Sequence, residues 1–159
     1  MQQLKKYYRS FTQFIFALFT LVIFTGCQTA SQPEQEKLLT LIGQPWQLVN
    51  LQGKPAILGD NFRALNIEFL DNKSVFRGFG GCNNYSGRFD HTSDSIEFGP
   101  AMATRKFCPN TMDQEMAFFT ILDKVVSYKI ADNQLFLFDS KEQILASFQE
   151  LQSNQAEPK

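Results

Sequence analysis

The sequence predicts an α+β domain in which several short strands are followed by one helix and then by further strands. Three observations carry that reading. Apolar and polar residues alternate in short runs, as where Leu65, Ile67 and Phe69 are separated by Asn66 and Glu68. Helical spacing is convincing in one stretch alone, from near Thr111 to about Lys124. Phenylalanine occurs 17 times, and beyond the amino-terminal region Phe62, Phe69, Phe76, Phe79, Phe89, Phe98, Phe118, Phe119, Phe136, Phe138 and Phe148 remain to fill one core. A chain of 159 residues has room for one such core and not for a second domain.

Residues 1–26 read as an export signal, with Lys5, Lys6 and Arg9 ahead of an apolar run over residues 14–24. At about 1.5 Å per residue that run spans about 16 Å, short of a bilayer core of about 30 Å, so it reads as a leader and not as a span. Phe24-Thr25-Gly26-Cys27 follows and resembles the bacterial lipoprotein box, which implies a diacylated Cys27 as the new amino terminus. The plainer alternative is a simple signal peptide or an uncleaved anchor, with Cys27 a bystander. Several acyl chains on one residue, at about 0.8 kcal/mol per buried methylene, would hold the protein to a membrane far more firmly than one chain. Gln28, where Asp would retain a lipoprotein at the inner membrane, implies by the same resemblance the periplasmic face of the outer membrane. Residues 27–37 are polar, contain Pro33 and lack a periodic apolar face, so they form a lipid-anchored flexible tether. The tail over 151–159 has the same character.

Within 38–150, Trp46-Gln47-Leu48-Val49 reads as a first strand running into a turn at Asn50-Leu51-Gln52-Gly53. Leu65 to Phe69 and Val75-Phe76 form a hairpin around Asp71-Asn72-Lys73. A glycine-rich turn, Gly78-Phe79-Gly80-Gly81, leads into a strand from Tyr85 to Phe89; Ser95 to Phe98 follows a polar loop. The helix opens with Thr111 and Gln114 at the spacing of a capping box, and Met112, Met116, Phe119, Leu122 and Val126 make its core-facing stripe. Strands at 125–130, 135–138 and 144–148 close the domain.

Trp46-Gln47-Leu48, Gly81-Cys82-Asn83-Asn84-Tyr85-Ser86-Gly87, Thr104 with Cys108, Glu115 with Phe119 and Leu122, and Leu135-Phe136-Leu137 together resemble the META domain, the family of HslJ-like bacterial lipoproteins. The resemblance covers about residues 38–150. It implies a curved, partly barrel-like antiparallel sheet packed with one main helix, in a small envelope or lipoprotein domain with a pilotin-like shape. Some members are linked to heat stress or novobiocin resistance. The family offers no catalytic residues to transfer. The second cysteine also stands where the family has it. Export would place the domain where disulfides persist, and with Cys27 carrying lipid, Cys82 and Cys108 remain as a pair. Closing that loop would stabilise the fold by about 3.5 kcal/mol on the chain-entropy model. Two buried free thiols are the alternative.

Candidate chemistry is sparse. The glycine turn lacks a following Gly-Lys-Ser/Thr, so it reads as backbone geometry and not as a phosphate cradle. His91 has no ligand at metal spacing, and Asp90, Asp94 and Glu97 read as solvated carboxylates. No cofactor, metal or catalytic group is expected. Asn83, Tyr85, Arg88 and Arg105 are a candidate recognition patch beside the cysteines, weighed against a role in turn hydrogen bonding. The formal charge is −1, and past the basic leader 12 basic side chains face 16 acidic ones, which disfavours nucleic acid as a partner. The expectation is a non-enzymatic, stress-linked envelope module, held to the membrane through Cys27 and contacting an envelope protein. The alternatives are a binder of small hydrophobic ligands in a phenylalanine-lined cavity, and a hydrolase without a recognisable site.

Overall fold

The computed structural model describes residues 40–70 and 74–151. The leader, Cys27, the tether, the turn Asp71-Asn72-Lys73 and tail residues 152–159 lie outside the described residues. The elements are β1 (Pro45–Leu51), β2 (Lys54–Pro55), β3 (Asn66–Leu70), β4 (Val75–Phe79), β5 (Asn84–His91), β6 (Ile96–Phe98), β7 (Met102–Ala103), α1 (Met112–Leu122), β8 (Ser127–Ala131), β9 (Gln134–Phe138) and β10 (Ile144–Glu150). A short 3-10 turn occupies Asp60–Phe62.

Each strand pairs antiparallel with its neighbours in the order β6-β5-β4-β3-β1-β10-β9-β8, with β2 added beside β1 and β7 beside β5. Setting the two-residue strands aside, this is the up-and-down order, which curls because each strand twists on the last. The ends of the row meet. Ser95 bridges Ser127, Ile96 N–H donates to Val126 O at 3.2 Å and Tyr128 N–H donates to Asp94 O at 3.0 Å. The sheet is therefore a nearly closed barrel, and α1 lies in the connection from β7 to β8.

Alternation places Trp46, Ile67, Phe69, Phe76, Leu135, Leu137 and Phe148 wholly inside. Their rings interlock, with Phe69 5.1 Å from Phe89 and Phe76 5.0 Å from Phe98, both edge to face. Gly87 stands between Tyr85 and Phe89 on this face and pairs with Phe76. A Cβ there would sit 2.5 Å from the Phe76 ring, so the missing side chain is the space that ring occupies.

Four expectations need correction. β1 runs through to Leu51, because a bulge between Leu48 and Asn50 absorbs one residue and returns Leu51 to the core; the turn proper is Gln52-Gly53, both at positive φ. The helix buries Glu115, Phe118, Ile121 and Leu122, whereas Met116 is 55% and Val126 46% exposed. An acid on the inner face broke the apolar period, and the apparent stripe fell about one residue off. Thr111 does stand at the helix start but makes no side-chain cap; it and Gln114 bind other segments instead. Phe62, assigned to the core from composition, is 87% exposed. Among the described residues no helix is long and apolar enough to cross a membrane.

Candidate functional site

The β4–β5 connection, Gly80-Gly81-Cys82-Asn83, is where separate segments converge. Gly81 has φ +112°, a conformation that L side chains rarely adopt. A Cβ on Gly80 would meet Glu115 Oε2 at 2.7 Å, so glycine lets a carboxylate of α1 reach the backbone. Glu115 Oε2 accepts the N–H of Cys82 at 3.0 Å and of Asn83 at 2.7 Å. Its Oε1 accepts Asn83 Nδ2 at 2.7 Å. Asn83 Oδ1 in turn accepts Thr104 Oγ1 at 2.8 Å and Lys106 N–H at 2.7 Å. Cys82 and Cys108 are joined by a disulfide with Cα atoms 5.7 Å apart.

Two further ties bring in the loop before β3. Gly81 O accepts Thr111 Oγ1 at 3.2 Å and Asp60 N–H at 2.7 Å. Gln114 accepts Ile57 N–H at 2.8 Å and donates to Ile57 O at 3.0 Å. Residues 57–60, 80–83, 104–108 and 111–115 thus form one knot around a buried carboxylate. Every buried side-chain nitrogen and oxygen among the described residues has a partner. Both oxygens of the Glu115 carboxylate are taken up by three N–H donors of the β4–β5 connection.

The four recognition-patch candidates do not form one surface. Asn83 is buried at the centre of the knot. Tyr85 is buried by the alternation of β5, and its hydroxyl donates to Asn66 O at 2.8 Å. Burial pushes the Tyr85 phenol well above its ordinary pKa of 10.0. Arg88 and Arg105 are exposed. His91 is also exposed, with its ring 5.3 Å from Phe89, and among the described residues no cluster of His, Cys, Asp or Glu could hold a metal.

What the sequence reading missed lies around the knot. The anchored loops carry Ile57, Leu58, Phe62 and Phe107, exposed at 51%, 53%, 87% and 80%. They line an open hollow of about 940 Å³. Asn61 and Phe62 both hold positive φ, 54° and 58°, a costly backbone for a residue as large as phenylalanine. Arg63 and Lys106 flank these tips, and Arg63 lies 4.1 Å over the Phe79 ring. The sequence signal was Arg105-Lys106-Phe107 and Phe62-Arg63, two short pairings of cation and aromatic, of which the fold brings Phe62, Lys106 and Phe107 to one rim.

A family model described as META domain matches residues 39–152. No curated protein matches the chain. Several solved structures share the fold. A protein from Burkholderia xenovorans, solved by NMR, is 20% identical with a TM-score of 0.56 over 70% of this chain and 83% of that one. A second NMR structure is 22% identical with a TM-score of 0.54, over 70% and 95% of the two chains. The crystal structure of a DUF4847 family protein from Bacteroides vulgatus is 12% identical with a TM-score of 0.50, over 69% and 93%.

Proposed function

The chain belongs to the META-domain family, and from that premise we propose that it is a non-enzymatic contact module of the bacterial envelope, tethered by lipid on Cys27. The observation that carries this reading is how the polar residues of the Gly-Cys-Asn-x-Tyr-x-Gly block are spent. Asn83 and Tyr85 hold the backbone of Lys106 and Asn66, Glu115 of α1 holds the N–H groups of Cys82 and Asn83, and Gly80, just before the block, and Gly87 within it make room for a carboxylate and a phenyl ring. Their polar atoms are engaged within the fold, which supports a contact role over a catalytic one. What the knot presents outward is an apolar rim, the kind of exposed patch that marks contact surfaces. The space between sheet and helix is occupied by Tyr85, Phe118 and Phe148, with Phe118 5.5 Å from Tyr85 and 6.5 Å from Phe148, which favours contact over a ligand held inside the barrel.

The lipid-box resemblance at Phe24-Thr25-Gly26-Cys27 supports the anchor. Metabolic labelling with an alkyne fatty acid, followed by membrane fractionation, tests it. Wild-type protein should take up label and sediment with outer membranes, and Cys27→Ala should do neither. Unlabelled wild-type protein in the soluble fraction would remove the anchor from this reading.

A further inference from the structure

We infer that the rim is a docking surface for a bilayer containing anionic phospholipid. This deepens the reading above by naming what the rim touches; it rests on the contact claim and does not require the lipid on Cys27.

Phe62 and Phe107 project from two separate loops, 87% and 80% exposed, with Ile57 and Leu58 beside them. Both loops are fixed before any contact. Ile57 is held by Gln114, Asp60 by Gly81, and Phe107 is next to Cys108 of the disulfide. Phe62 holds a left-handed backbone, a costly conformation that persists only where the surrounding structure fixes it. Fixed loops lose little further freedom when they dock.

The charge around these tips selects the partner. Residues 54–63 and 104–113 carry Lys54, Arg63, Arg105 and Lys106 against two acids, Asp60 and Asp113, whereas the rest of the described chain has more carboxylates than cations. Apolar tips collared by Lys and Arg are what the boundary between anionic headgroups and acyl chains accepts. Each such cation near an anionic leaflet strengthens binding about fivefold.

Trp46 is the single tryptophan and is fully buried, so a second one can report on the rim. The full chain carrying Phe107→Trp is mixed with vesicles of phosphatidylcholine alone, or of phosphatidylcholine with phosphatidylglycerol, with bromine on the acyl chains. Ser93→Trp, beyond the far end of β5, is the control. The new tryptophan at 107 should be quenched in the anionic vesicles, weakly in the zwitterionic ones, and less as salt rises. Ser93→Trp should be quenched in neither. Adding Arg105→Gln and Lys106→Gln should weaken docking about 25-fold, fivefold for each cation, with the urea midpoint unchanged. Equal quenching in both vesicle types, no quenching in either, or quenching at 93 as strong as at 107 would overturn the inference. So would a photo-crosslinker at 107 that yields, in cells, one discrete protein adduct and no lipid adduct. Cys27→Ala separates the two claims: docking kept while acylation is absent from the wild type sinks the anchor and spares the rim.

Discussion

Replacing Glu115 tests whether the buried polar centre is architecture. Its carboxylate holds the N–H groups of Cys82 and Asn83 and the Asn83 side-chain amide. In Glu115→Ala the amide keeps Lys106 O at 3.3 Å, so two backbone donors are stranded in a buried site. At about 1–3 kcal/mol for each stranded donor the loss is about 2–6 kcal/mol, a large share of the 5–15 kcal/mol that holds a typical domain. Glu115→Gln can serve both backbone donors through its carbonyl, but its own NH₂ then faces Asn83 Nδ2. That amide cannot simply flip, because Asn83 Oδ1 is committed to Thr104 and Lys106. The cost for Gln is about 1–3 kcal/mol. Urea unfolding of the oxidised protein, followed by Trp46 fluorescence, measures both. An alanine variant within 1 kcal/mol of wild type at unchanged m value would refute the reasoning, since the donors would then have found other partners at no cost.

Four further outcomes follow from the same geometry. Gly87→Ala should destabilise by about 1–3 kcal/mol, read from the urea midpoint, because its Cβ would lie 2.5 Å from the Phe76 ring. Cys82→Ser with Cys108→Ser opens a link of sequence separation 26 and should cost about 3.5 kcal/mol; a midpoint that does not move on reduction of the wild type would contradict it. Because burial raises the Tyr85 phenol above 10.0, the folded state keeps a proton that the unfolded chain has lost. Its contribution is whole below about pH 10 and falls as pH rises from there, so tyrosinate absorbance of Tyr85 should appear only together with alkaline unfolding, and an earlier rise would count against its burial. Phe62→Gly should leave stability equal or slightly higher, since it relieves a positive φ at an exposed ring, and a clear loss in a thermal melt would show the ring to be structural.

Much of the barrel was readable in the sequence because one buried face forces period 2, as at Leu65, Ile67 and Phe69. The reading failed where tertiary contacts reassigned a residue. The bulge at Leu48/Asn50 adds a residue without altering composition, and Glu115 is an acid where the helix needs an inward position, so periodicity alone shifted the stripe. Thr111 and Gln114 carried a true local cap signal, yet Gly81 and Ile57 took both side chains. The Cys82 block was legible as a motif but not as a knot, since its partners Thr104 and Glu115 are more than twenty residues away in the chain. The rim was the least legible part. Each half looked like an ordinary loop, and the average charge of the chain concealed a local reversal of sign.

The closure between β6 and β8 is thin, resting on the Ser95–Ser127 bridge and a few bonds such as Tyr128 OH to Thr92 O at 3.0 Å. Edge-paired strands elsewhere are laced along their length, so amide exchange should be fastest at this seam. A zipper that opens there bares two strand margins, which is how such proteins stick to one another. The segment that crosses the gap, however, is the connection bearing α1 and Cys108. Its covalent hold on Cys82 limits how far the two margins can part, so that cutting one sulfur bond should loosen a seam on the other side of the strand row.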